Sequence, residues 1–271
     1  TRYCAPSKSC MEVKMIRIKK DWEIEKMKRA GSIVADVLKL MNELIKPGVD
    51  TKTLDDRAEE IITKSGAIPA FKGYSFPGAP YPFPGSICVS INDEIVHGIP
   101  DSARILEEGD IVSIDVGACF EGYFGDAACT YPVGKVSIER TRLLDVTKES
   151  LHLAISAAKD GNTLGDVGYA VEHYVTMHGY GLVRDYAGHG IGKRLHEAPQ
   201  VPNFGRQGDG ITLKSGFTIA IEPMIIAGKN EDVVVADNGW TVLTADHSDA
   251  AHFEHTVLIT ESGGEILTPW E

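Results

Sequence analysis

Four carboxylates and one histidine fall where an unpartnered charge would be expensive. Asp115 lies inside Ile111-Val-Ser-Ile-Asp-Val-Gly, an otherwise apolar run, and Asp126 follows in Gly125-Asp-Ala-Ala. Glu222 occurs in Ile219-Ala-Ile-Glu-Pro-Met, where Pro223 holds the preceding residue extended. Glu254 has the same predicament in His252-Phe-Glu-His-Thr-Val-Leu-Ile, and His189 is framed by glycines in Gly188-His-Gly-Ile-Gly. Taken singly, each acid fits a turn, an edge or a salt bridge. Together they make four carboxylates and an imidazole on strand or tight-turn positions, and like charges packed that closely raise one another's pKa. Two divalent cations would set four positive charges against the four negative ones. Hard oxygen donors with one imidazole suit cobalt, manganese, iron, zinc or magnesium rather than a thiolate-bound metal. The chemistry to expect is that of a dinuclear hydrolase, in which paired cations acidify water and polarise a carbonyl.

The elements that must position these groups can be read from spacing. Apolar residues at helical intervals run from Asp21 to Ile45 and stop at Pro47-Gly48. Thr53 is the expected N-cap of a second helix to about Ser65, closed by Gly66. Strands are expected over 87–91, 111–116 and about 125–133, with the Glu121-Gly122 turn joining the last two into an antiparallel hairpin. That hairpin would bring Asp115 and Asp126 together. The second half repeats the plan: a helix from about Glu139 to Lys159, a break at Asp160-Gly161, a helix to about His178, then strands. An offset of 113 superposes Lys46 on Lys159, Gly48 on Gly161, Glu59 on Glu172, Thr63 on Thr176 and Gly66 on Gly179. Two similar α+β halves, about 15–135 and 136–271, are therefore expected to join their sheets around a central site.

Composition excludes several other classes. With 43% hydrophobic residues in 271, the chain has enough apolar mass for a substantial core. The net charge of −12 and the acids interleaved among the basic residues from Arg17 to Arg29 argue against a nucleic-acid surface. The charge-free stretch 73–92 carries four prolines and three glycines, which suits a loop entering a strand and not a membrane span. Five scattered cysteines make no disulfide framework, so reduced thiols and a cytoplasmic setting are expected. Residues 1–14 look like a short amino-terminal extension or added leader, separate from a single catalytic domain over 15–271. The glycines of 188–192 match neither a P-loop, for want of its Lys-Ser/Thr, nor the dinucleotide fingerprint. They are expected to let backbone crowd against His189.

From Met15 onward the chain resembles the type I methionine aminopeptidases. The stretches that carry the resemblance are Ser90-Ile-Asn-Asp-Glu-Ile-Val-His97-Gly-Ile-Pro, Gly109-Asp-Ile-Val-Ser-Ile-Asp115, Gly125-Asp126, Gly188-His189-Gly-Ile-Gly, His196-Glu, Ile221-Glu222-Pro-Met and Phe253-Glu254-His-Thr. The resemblance implies the pita-bread fold of the creatinase and aminopeptidase group, an α+β architecture of two pseudo-twofold halves with central antiparallel sheets flanked by helices. It implies that Asp115, Asp126, His189, Glu222 and Glu254 hold two metal ions, with Asp115 bidentate and Asp126 and Glu254 bridging. The implied reaction removes the initiator methionine from nascent chains, preferentially before a small second residue. Glu222 would then be the proton shuttle, His97 would contact the scissile nitrogen or the next residue, and His196 would hydrogen-bond the carbonyl oxygen. Phe71, Tyr74, Cys88 and Trp240 are implied as walls of the methionine pocket, where aromatic and sulfur-bearing groups suit a thioether.

The chain departs from that pattern in two places. The segment 75–85 looks longer than in many bacterial relatives, and Leu195 stands where many members carry an aromatic residue. Glu222 and Glu254 are only 32 residues apart, without the long insertion of the type II enzymes. Prolidases and proline-specific aminopeptidases share the ligand pattern but usually add an amino-terminal domain. A creatine-amidinohydrolase-like enzyme would not need the full ligand set, and non-enzymatic relatives lose ligands that are all present here. Nascent substrates imply transient proximity to the ribosome, and a site built within one chain implies a monomer.

Overall fold

The computed structural model describes residues 16–271. Four helices, α1 (Asp21–Leu44), α2 (Thr51–Lys64), α3 (Ile138–Ala157) and α4 (Leu164–Met177), cover antiparallel sheets. α1 starts where the Glu23 side chain accepts the Lys20 N–H at 3.0 Å, satisfying a donor the helix itself leaves open. Its apolar residues, among them Met27, Ile33, Val34, Val37, Leu38 and Met41, form one buried stripe. That stripe lies on the hairpin of Ile111–Phe120 and Tyr123–Pro132, where the Tyr131 hydroxyl donates to the Leu38 carbonyl at 2.8 Å.

α2 differs from expectation at its start. Asp50 is the cap, accepting from Thr53 N at 2.8 Å and from the Thr53 hydroxyl at 2.7 Å. A carboxylate offers two acceptor oxygens, so Asp50 takes both protons and Thr53 becomes the donor within the first turn. The offset of 113 is exact at the helix ends: α2 runs from 51 to 64 and α4 from 164 to 177. Thr63 and Thr176 each donate to the carbonyl four residues back, Glu59 and Glu172, at 2.7 Å. Gly66 and Gly179 follow at φ +75° and +84°, the left-handed conformation that ends a helix cheaply only at glycine.

In the first half, Ile111–Phe120 pairs with Ile87–Ile91 on one edge and with Tyr123–Pro132 on the other, longer than the expected 111–116 and 125–133. Glu121 and Gly122 turn the hairpin with both φ positive. In the second half, a five-stranded sheet runs in the order Gly264–Ile266, His255–Ile259, Thr218–Ile221, Gly188–Gly190, Glu197–Val201. The two sheets meet edge to edge. Glu254 N donates to Ala128 O at 2.9 Å, Asp126 N donates to the Thr256 hydroxyl at 3.0 Å, and that hydroxyl donates back to Asp126 O at 2.9 Å. Two three-stranded sheets complete the β structure: Ala250–His252, Met224–Ile226 and Gly181–Leu182, and Val233–Val235, Val242–Thr244 and Glu94–Val96.

The helical face of this assembly is sealed by close packing. Leu38 is 1% exposed in the larger apolar core, so Leu38→Ala removes buried contacts and leaves a cavity. Urea unfolding should show a loss of about 2–5 kcal/mol, and a loss below about 1 kcal/mol would mean that the stripe is not the anchor of the hairpin.

Candidate active site and metal centre

Strand register places the predicted ligands on one side of the joined sheets. Asp115 stands opposite Cys88 and Asp126 opposite Gly117, so both carboxylates leave the same hairpin beside the Cys88 thiol. Ala220 at the centre of the second sheet pairs with both His189 and Thr256, and Ile221 pairs with His255. Glu222 and Glu254 each stand one residue beyond those pairs and come face to face. The Glu222 backbone is held by Asn203, whose Nδ2 donates to its carbonyl at 2.9 Å.

His189 Nε2 lies 3.8 Å from Asp126 Oδ2 and 3.7 Å from Glu222 Oε1. Its Nδ1 meets the Gly190 carbonyl at 3.0 Å, which puts the proton there and aims the Nε2 lone pair at the acids. The expected crowding of backbone is present: a Cβ at Gly188 would strike the Ala220 carbonyl oxygen, and one at Gly190 the Ala198 carbonyl oxygen.

Asp126, His189 and Glu254 each offer one ligand atom within 4.8 Å of the others, and Glu222, His252 and Glu254 do the same. Asp115 Oδ1, Asp126 Oδ1 and Glu254 Oε1 are buried without a hydrogen-bond partner. Burial pushes the Asp115 carboxyl up to about 7, and it drives Asp126, Glu222 and Glu254 well above the ordinary range, with the neighbouring acids adding to it. Orphaned oxygens on mutually repelling acids, beside a neutral imidazole, fit divalent cations.

Two cavities meet at this cluster. One, of about 130 Å³, is lined by Phe71, Tyr74, Cys88 and Trp240, and also by Phe76, Phe83 and Leu195. The other, of about 150 Å³, shares His97, Asp115, His189, His196 and Glu222 and continues past Tyr186 and Gln200. His97 adopts φ +61° and His196 Nδ1 is 3.0 Å from the Tyr74 hydroxyl. Burial holds His97 at about 4 and His196 at about 3, so both are neutral at physiological pH. Glu197 anchors the turn that carries His196, accepting the N–H groups of Lys193 and Arg194 at 2.8 and 3.1 Å.

The long 75–85 segment contributes two walls that spacing did not reveal. Phe83 is 3% exposed and Phe76 sets its ring edge-on to Trp240 at 5.3 Å. The Trp240 Nε1–H donates to the Tyr81 carbonyl at 3.1 Å, and the Tyr81 hydroxyl donates to the Asn238 carbonyl at 2.8 Å, which clasp the segment to the opposite turn. His252 was also missed. Its only signal was the period of two that places it on the same side as Glu254.

A buried acid–imidazole centre at the seam of two joined α+β halves defines a class of metal hydrolase. The profile of metallopeptidase family M24 matches residues 25–261. A methionine aminopeptidase of Clostridium acetobutylicum is 51% identical over 254 residues, 94% of this chain and 99% of that one. The crystal structure of the methionine aminopeptidase from Thermotoga maritima superposes with a TM-score of 0.89 at 48% identity, covering 94% of this chain and 99% of that one. The prolidase from Pyrococcus furiosus has a TM-score of 0.74 at 25% identity, and this chain covers 66% of its length. The chain belongs to metallopeptidase family M24 and, within it, to the methionine aminopeptidases, with their pita-bread fold.

The buried acids give metal-free protein a distinctive pH response. Above about 3.8 the unfolded chain ionises Asp115 while the fold keeps it protonated up to about 7, so this group lowers stability as pH rises across that window, and the raised Asp126, Glu222 and Glu254 act in the same direction. Thermal melts of chelator-stripped protein should show that fall. Added manganese should raise the midpoint more at about pH 7.5 than at about pH 5, and an equal rise at both would remove the acid cluster as the binding site.

Proposed function

We propose that the two cavities meeting at the acid cluster divide a substrate between them: the aromatic cavity takes a methionine side chain and the cavity past Gln200 takes the peptide that follows. The chain is a methionyl aminopeptidase, a metallopeptidase that removes the amino-terminal methionine. The observation that carries the reading is that Asp115, His189 and Glu222 line both cavities, with Asp126 and Glu254 in the wall of the aromatic one. Cys88 and the rings of Phe71, Phe83 and Trp240 form a wall of sulfur and π-surface suited to a thioether. The substrates proposed are nascent chains with a small second residue, met near the ribosome in the cytoplasm. We further propose one catalytic domain over 15–271 in two halves, acting as a monomer, because all five donors come from one chain. Residues 1–14 are proposed as a separate extension and lie outside the described residues. Among the described residues no helix is long and apolar enough to cross a membrane.

Asp115, Asp126, His189, Glu222 and Glu254 would hold two divalent cations, drawn from cobalt, manganese, iron, zinc and magnesium. When bound, these supply Lewis-acid polarisation of the scissile carbonyl and acidify the attacking water. Glu222 accepts the proton that water gives up as its oxygen bonds to the carbonyl carbon. The same carboxyl then passes that proton to the amine as the C–N bond breaks. The Tyr74 hydroxyl, donating to His196 Nδ1, leaves the His196 proton on Nε2, where it can meet the negative charge developing on the carbonyl oxygen. His97, whose ring lies 6.3 Å from that of Trp240 and 5.8 Å from that of Tyr186, is the group proposed to contact the scissile nitrogen or the next residue.

Chelator-stripped protein reloaded with each cation in turn should release methionine from Met-Ala-Ser and leave an Ala-Pro peptide intact. Preferred cleavage of the prolyl peptide would overturn the pocket assignment while leaving the centre. Glu222→Gln should fold normally and lower kcat by roughly 100-fold to 10,000-fold, and retained turnover would remove it as shuttle. His97→Ala should slow cleavage with metal content unchanged by elemental analysis, and a lost equivalent of metal would make it a ligand.

A further inference from the structure

His252 stands against this machinery and none of the steps above uses it. It closes the strand Ala250–His252 opposite Met224 and is 1% exposed. Thr130 holds its backbone from both sides: the His252 N–H donates to Thr130 Oγ1 at 2.9 Å, and the Thr130 hydroxyl donates to the His252 carbonyl at 2.9 Å. The ring therefore cannot drift with its strand. Neither ring nitrogen has a hydrogen-bond partner, and Nε2 lies 3.7 Å from Glu222 Oε2.

An imidazole carries at least one N–H in any protonation state. Buried without an acceptor, that group bears the full cost of losing its water. A proton on Nδ1 would leave it so, whereas a proton on Nε2 has the Glu222 carboxylate before it. A shift of less than about 1 Å brings 3.7 Å into the range of an N–H···O bond. The two imidazoles also address different oxygens, since His189 Nε2 faces Glu222 Oε1.

We propose that His252 is a positioning residue for Glu222: its Nε2–H donates to Oε2 and fixes the carboxylate rotamer, so that Oε1 stays on the side of His189 and the reacting water. This inference rests on Glu222 being the proton acceptor. The carboxylate has a free path into both cavities, and a single donor on Oε2 removes the rotations that would carry Oε1 away from the scissile bond.

The test compares His252→Leu, which fills similar volume without a donor, with His252→Gln, which restores an N–H at similar reach, both in the full chain loaded with manganese. The leucine variant should lose about 10-fold to 100-fold in kcat on a methionyl peptide with KM nearly unchanged, and the glutamine variant should recover most of it. Calorimetric titration should give both variants the manganese stoichiometry of the parent. An unimpaired leucine variant, or a glutamine variant no better than leucine, overturns the inference. A lost equivalent of manganese overturns it too, by making His252 a ligand. Should the leucine variant fail to fold, ¹⁵N imidazole spectra of the parent loaded with diamagnetic magnesium decide instead, with the His252 signal assigned by its loss in His252→Gln: a proton on Nε2 is expected and one on Nδ1 overturns it. If the parent itself releases no methionine with any cation, it is the functional reading that fails, and the tautomer still reports on the contact with Glu222.

Discussion

Everything in this structure answers to the burial of four carboxylates beside one imidazole. Removing even one unpaired carboxylate from water costs several kcal/mol in practice, and four that repel one another cannot all be ionised without compensating charge. The fold bears this arrangement because the backbone that carries each acid is held in place. Asp115 and Asp126 are fixed by a hairpin ten residues long on each side, Glu222 by Pro223 and Asn203, and Glu254 by the main-chain bond to Ala128. The sheet seam through Asp126, Ala128, Glu254 and Thr256 is thus both the join between the halves and the floor of the site.

Around that floor the apolar residues separate by task. The larger core, beneath α1 to α4, includes most of the fully buried aliphatic side chains and keeps the sheets in register. A second, smaller cluster includes Met27 of α1 with Phe71, Phe83, Cys88, Tyr123, Ile191, Leu195 and Trp240, and several of its members line the aromatic cavity. The hydrogen bonds of Tyr81 in the 75–85 segment run to Asn238 and Trp240, at one end of the second cluster.

Much of this was legible from residue order. Acids set in apolar strands, glycines beside His189 and helix breakers are each local features, governed by burial cost, steric freedom and helix termination. They were enough for the four helices, the central hairpin and the meeting of Asp115, Asp126, His189, Glu222 and Glu254 in one cluster. The N-cap of α2 was misread because Thr53 and Asp50 are both good caps, and the choice between them depends on which side chain the chain's entry angle brings under the first turn.

What the sequence determined by itself is the inventory: which groups are too costly to bury alone, and which backbone positions demand glycine or end a helix. What only the tertiary structure decided is adjacency across the seam. The edge-to-edge meeting of the two sheets, the Phe76 and Phe83 walls folded in from a proline-rich segment, and the approach of His252 to Glu222 all join residues from separate elements. Contacts of that kind depend on strand register and on how two sheets twist against one another, and no local period in the chain encodes either.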